Sequence, residues 1–244
     1  MDKQVVLLDD IKRLLEPRHK KSFYIVVSGR QNTFKIYFTP PIDLGGSRCE
    51  MAMIGLATYY SIPNVKANNN QIRIFDGNTW SIKTIDVGSY ELADINNALN
   101  IKQVQITGNV NTLKTVINIT PPYKVDFNIN NSLASVLGFD KILLNDGEHM
   151  STKLVDIMDI TLLKVMVNTI EGSYNNGQTE GAIYTFFPGV APGYKIMEKP
   201  ANPIYLPVST QKITTFNVSL VDQDNKPVDL RGEDLNIRFH IREF

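Results

Sequence analysis

The sequence has one cysteine and three histidines in 244 residues, and no net charge. The single Cys49 excludes an internal disulfide framework, and in an alternating apolar run it reads as a small buried hydrophobe in a chain made in a reducing compartment. His19, His149 and His240 lie far apart and bring no second cysteine with them. Zinc needs clustered ligands at short spacing, so neither a metal site nor a cofactor site is expected. The 25 basic and 25 acidic residues cancel, which removes the field that would hold the protein on a nucleic-acid backbone or an anionic membrane. No run approaches the roughly 18 apolar residues of a membrane span. Met1 to Leu8 carries acid where a secretory leader carries base, so no secretion is expected and the sequons at Asn118, Asn130 and Asn217 are chance matches. There is no Gly-x-Ser-x-Gly elbow and no glycine-rich phosphate cradle, so no catalytic residues are assigned and a non-enzymatic protein is expected.

What is present is strand. The hydrophobic fraction is 43%, enough to fill a core, and from Phe23 onward β-branched and aromatic runs alternate with Gly, Pro, Asn and Asp. About a dozen runs qualify as strands, the longest being Cys49 to Tyr59, Ile157 to Ile170 and Ile213 to Val221. Phe75-Asp76-Gly77-Asn78 predicts a hairpin over Ile72 to Val87, and Gln223 to Lys226 predicts a second one. Asp222 and Asp224 read as turn formers rather than a cation loop. Two short helices are expected in connections. One runs over Tyr90 to Leu99 with Ser89 as N-cap; the other runs over Asn131 to Leu137 with Asn131 as N-cap and Gly138 as the left-handed C-terminal residue. Many strands with no βαβ alternation give an all-β fold, a single jelly-roll β-sandwich with extra hairpins and loops.

The first 21 residues differ. Leu7, Leu8, Ile11, Leu14 and Leu15 recur at helical spacing until Pro17 stops the pattern, which predicts an amphipathic arm over 1–21 ahead of one domain over 22–244. The arm's apolar stripe needs cover, either from its own sandwich or from a neighbouring subunit. Two long loops stand out. Glu171 to Gly181, with Tyr174, Asn175 and Asn176, is polar and glycine-rich and reads as an exposed tip. Pro188 to Pro207 holds five prolines among Tyr194, Ile196, Met197 and Tyr205; it is too apolar for a solvated linker, and these four join the arm leucines and Ile11 as candidate subunit contacts.

The order of landmarks resembles a known family. Cys49-Glu50-Met51-Ala52-Met53 followed by Tyr60-Ser61-Ile62-Pro63-Asn64-Val65 is similar to the "Trp-Glu-Val-x-Leu … Trp-x-Asn-Val" opening of minor capsid (penton) proteins of Polinton (Maverick) elements and adintovirus-like relatives. Val87-Gly88-Ser89-Tyr90 resembles that family's "Pro-x-Gly-x-Tyr", and Leu133 to Phe139 its "Leu-Ala-x-x-Leu-Gly-Phe". The stretch from Asp224, Pro227 and Val228 to Ile237–Arg242 is similar to its "Asp-x-x-Gly-x-Pro-Val … Leu-His-Phe-Arg" ending. The likeness spans about Ser22 to Arg242; Cys49 stands in place of an aromatic residue and Asn225 in place of a turn glycine. It implies a virion protein synthesised inside the host cell. Its expected form is a homo-oligomer, the pentamer at the icosahedral vertex, partnered by a double jelly-roll major capsid protein and by a spike or receptor. The competing reading is an attachment or lectin-like sandwich that binds a receptor, which a trimer or a glycan-binding monomer would favour.

Overall fold

The computed structural model describes residues 21–157 and 160–244. The predicted arm, with Leu7, Leu8, Ile11, Leu14 and Leu15, lies outside the described residues.

Three strands open the described chain: β1 (Ser22–Gly29), β2 (Thr33–Asp43) and β3 (Cys49–Tyr59). An insertion follows. It contains β4 (Gln71–Phe75), β5 (Trp80–Thr84), α1 (Leu92–Leu99), β6 (Val104–Asn109), β7 (Lys114–Ile119), β8 (Lys124–Asp126), β9 (Leu143–Leu144) and β10 (Gly147–Met150). The chain then returns through β11 (Leu163–Val167), β12 (Tyr174–Asn175), β13 (Gln178–Thr179), β14 (Ala182–Phe186), β15 (Lys195–Glu198), β16 (Leu206–Pro207), β17 (Lys212–Val221) and β18 (Leu235–Glu243).

Two antiparallel sheets make the body. One has the order β1-β18-β3-β15, with β16 beside β15 on the same edge of β3; the other has the order β14-β11-β17-β2. Counting the eight main strands along the chain, the sheets are 1-8-3-6 and 2-7-4-5, which is the double Greek key of a jelly roll. The period of two places Ile25, Val27, Ile237, Phe239 and Ile241 from one sheet against Leu163, Val165, Phe216 and Val218 from the other. Phe216 and Phe239 meet edge to face with centroids 5.1 Å apart.

Among the described residues, the hydrophobic core falls into two clusters. The second belongs to the insertion, where β5-β4-β8-β9 and β10-β7-β6 enclose Ile72, Ile95, Ile117, Phe127, Leu133 and Leu137. Short strands of this kind need a covered face to persist, and α1 supplies part of it through Ile95 and Leu99. The insertion leaves at Tyr59 and returns at Ile160. Asn64 ties its two ends together: Nδ2 donates to the carbonyls of Tyr90 (2.7 Å) and Ile157 (2.9 Å), and Oδ1 accepts the Tyr90 N–H. A buried amide with its bonds satisfied fixes the junction in one arrangement.

Several local expectations are corrected. The α1 helix starts later than the apolar spacing predicts, because Asp94 accepts the N–H of Glu91 and Glu91 caps the helix, while the Ser89 hydroxyl is spent on the Ile62 carbonyl. Asn131 is no N-cap: its φ of 52° is left-handed, whereas an N-cap is extended. The segment 133–139 is a single turn closed by Leu137 N–H to the Leu133 carbonyl, yet its side chains Leu133, Val136, Leu137 and Phe139 are buried as the pattern requires. Gly138 does adopt positive φ (72°), and a Cβ there would sit 2.6 Å from the carbonyl oxygens of Lys153 and Leu154. The 223–226 hairpin reduces to one bridge, Val221 to Pro227. There the Asp222 carboxylate accepts the N–H groups of Asp224 and Lys226, so the turn closes on itself before a second strand forms. The β4–β5 hairpin is paired from Gln71–Thr84 to Phe75–Trp80.

Candidate assembly surface

The outward face of the β1-β18-β3-β15 sheet is set by register. Across it run the rows Tyr24–His240–Ala52, Val26–Arg238–Gly55 and Ser28–Asn236–Ala57–Met197. Ala52, Gly55 and Ala57 stand on β3, and Ala52 is fully buried, so the face is already covered at that point. Apolar groups stand around it: Tyr24, Val26, Met197 and Ile204 are all more than half exposed. Tyr24 and Val26 lie on the β1 edge and Met197 on the β15 edge, with His240, Arg238 and Asn236 between them, so this face carries apolar groups at its two edges and polar ones across its middle.

One corner is pinned by an aromatic network. His240 hydrogen-bonds through Nδ1 to the Tyr205 hydroxyl (2.7 Å) and through Nε2 to Ser22 Oγ (2.8 Å), and its ring tilts against Tyr24. The Arg242 guanidinium lies 3.6 Å from the Tyr205 ring centre and pairs with Glu50 at 2.6 Å. Burial and the nearby Arg242 charge lower the His240 pKa, so the ring is neutral at physiological pH. These contacts hold the β16 approach flat on β3 and fix the Tyr205 ring in place.

The four candidates from the proline-rich segment divide. Tyr194 and Met197 are exposed and Tyr205 is half-buried in the network. Ile196 is 2% exposed and belongs to its own core; it is withdrawn as a surface contact, because β15 pairs with β3 and the period of two turns alternate side chains inward. Residue spacing alone missed Tyr24, Val26 and Ile204, which lie far apart in sequence and meet only through sheet order.

The loop 171–181 is a miniature hairpin. Tyr174 pairs with Thr179 and Asn175 with Gln178, and Tyr174, Asn175 and Asn176 are exposed. Its base is anchored by Glu180, which accepts from the buried Lys164 Nζ at 2.8 Å. Lys164 also meets Asn225 in the β17–β18 connection at 3.0 Å, so the base of this hairpin reaches back along the outer side of its sheet. No group of three or more His, Cys, Asp or Glu side chains is placed to hold a metal among the described residues, and no helix among them is long and apolar enough to cross a membrane.

No family model and no curated protein matches the sequence. Among solved structures, the chain is similar to the mavirus penton protein, with a TM-score of 0.51, 13% identity, and coverage of 92% of this chain and 100% of that one. A Sputnik virophage structure also aligns, with a TM-score of 0.43 and 12% identity over 91% of this chain and 98% of that one. The fold is therefore an all-β jelly-roll sandwich of the kind found in the mavirus penton protein.

Proposed function

We propose that this chain is a viral capsid protein, the penton-type minor capsid protein of a Polinton-like virus or element, working as a pentamer at the icosahedral vertex beside a double jelly-roll major capsid protein. The observation that carries this reading is the mavirus penton fold, found over nearly the whole chain. The sheet face edged by apolar groups gives such a protein its means of work, because a five-fold ring needs a head-to-tail contact in which one patch meets a different one, rather than a reactive centre. Tyr24, Val26, Met197 and Ile204 supply the contact, with Tyr194 and Tyr205 at its margin and the hairpin at Tyr174, Asn175 and Asn176 left free for a further partner. The arm over 1–21 serves as an exchanged element between subunits.

Native mass spectrometry tests the proposal. The full chain is expected at five times the 27.5 kDa subunit mass. Val26→Asp with Met197→Asp is expected to give folded monomers, since a carboxylate buried in an apolar contact costs about 2 kcal/mol or more per site. A trimer, or a wild-type monomer at micromolar concentration, would instead favour the attachment-module reading. Removing residues 1–20 is expected to leave the melting temperature intact and reduce the pentamer.

A further inference from the structure

The insertion carries a cleft at its end away from the sandwich. The α1 helix begins beside the junction residue Tyr90 and ends roughly 12 Å further on, as eight residues at 1.5 Å each require. The β4–β5 hairpin likewise starts next to the Val65–Gly88 bridge and turns at Gly77. The chain after α1, the inner side of β5 and the connection from β7 to β8 therefore meet at the distal end. Between them is a cavity of about 440 Å³, within the roughly 300–1,000 Å³ of small-ligand sites.

Its lining is rich in donors. Lys83 and Lys102 stand on its walls with Ser81, Asn100, Gln103 and Tyr123. Both lysines are exposed, and neither forms an ion pair or a side-chain hydrogen bond among the described residues. Asp76, also on the wall, keeps its charge but directs it into its own turn: Oδ1 accepts the N–H groups of Asn78 and Thr79 at 2.8 Å each, and Oδ2 accepts the Thr79 hydroxyl. Two unmatched ammonium groups facing one cavity, with amides and hydroxyls between them and a tyrosine on the wall, describe a site for a molecule that is anionic at one point and polyhydroxylated elsewhere. A bare inorganic anion would leave most of the volume and all of the amides unused. A nucleic acid would need a basic surface that a chain of zero net charge does not provide.

We propose that this distal cleft binds an acidic saccharide, with Lys83 and Lys102 holding its carboxylate or sulfate and the neutral side chains holding its ring hydroxyls. The test uses the full chain and isothermal titration with 3′-sialyllactose, a sulfated heparin tetrasaccharide, lactose and sodium sulfate. At least one acidic sugar is expected to bind, more weakly as salt is raised, while lactose and sulfate do not at the same concentrations. Lys83→Glu and Lys102→Glu should each weaken binding at least tenfold; Lys226→Glu, outside the cleft, should not. Binding by 3′-sialyllactose alone assigns the carboxylate, and binding by the heparin fragment alone assigns the sulfate. Absence of binding by both acidic sugars, equal binding by sodium sulfate, or binding that survives both cleft variants overturns the proposal. Native mass on the same samples separates this result from the assembly reading, which the cleft variants leave untouched.

Discussion

Changing Leu137 to Asp is expected to unfold the insertion. The side chain is fully buried with Leu133 and Phe127, and a carboxylate there has neither water nor a partner, a change that costs about 4–5 kcal/mol or more. The turn that carries it has one internal hydrogen bond of α-helical spacing and no stability of its own, so it has nothing to offset the loss. The only tryptophan, Trp80, sits in the same module, against the Phe75 ring with the Arg73 guanidinium 4.7 Å from its centre. Its fluorescence therefore reports the insertion alone. The expected result is a lost Trp80 transition with retained β-signal from the sandwich. Unchanged melting of a soluble variant would mean that the turn does not hold this core together.

The second large effect is at Glu180. Lys164 lies on the outer side of its sheet with a side chain only 4% exposed, and Nζ has two oxygen partners, Glu180 at 2.8 Å and Asn225 at 3.0 Å. Glu180→Gln removes the countercharge and leaves a buried ammonium, which is expected to cost about 3–5 kcal/mol. Glu180→Leu combined with Lys164→Met should recover most of that loss, because an apolar pair carries no desolvation penalty. Burial pushes the Glu180 carboxyl upward, but hydrogen bonds from Lys164 and Asn175 and the Lys164 charge outweigh it and hold the pKa below the usual range. A depressed carboxylate contributes stability above its ordinary value of about 4.3, and that stability disappears as the pH falls through the lower folded value. Acid denaturation of the parent should therefore show a component in that window which the Gln variant lacks. The same substitution frees the anchored base of the 174–179 hairpin, so limited proteolysis should cut at 171–181 faster.

The sequence made several long strands visible through their alternation, but the longest run, Ile157 to Ile170, is strand only over Leu163–Val167. The Cys49–Tyr59 run matches its strand to the residue, and Gly138 announced its left-handed backbone. Short pairings were hidden. The strands at Lys195–Glu198 and Leu206–Pro207 lie in a proline-rich stretch and exist only because β3 offers them an edge. That edge also explains Ile196: neighbours at 196 and 197 look alike as apolar residues, and only the register decides which one faces in. Asn131 has the composition of a helix cap but is drawn into a left-handed turn while the Leu133 N–H reaches the Gln71 carbonyl, so tertiary pairing overrode local preference. The division of the core into two clusters left no trace in composition, since an inward-facing residue does not reveal which partner it faces. The surface that joins Tyr24, Val26, Met197 and Ile204 was illegible for the same reason.

The Asn64 clasp has an evolutionary consequence. Because the two chain ends of residues 65–156 meet at one side chain, the whole piece behaves as a cassette: it can be lengthened, exchanged or replaced by a tight loop without altering the path of any sandwich strand. A lineage built on this scaffold can therefore change the cassette while the sandwich core stays unchanged, and the two parts are free to diverge at different speeds.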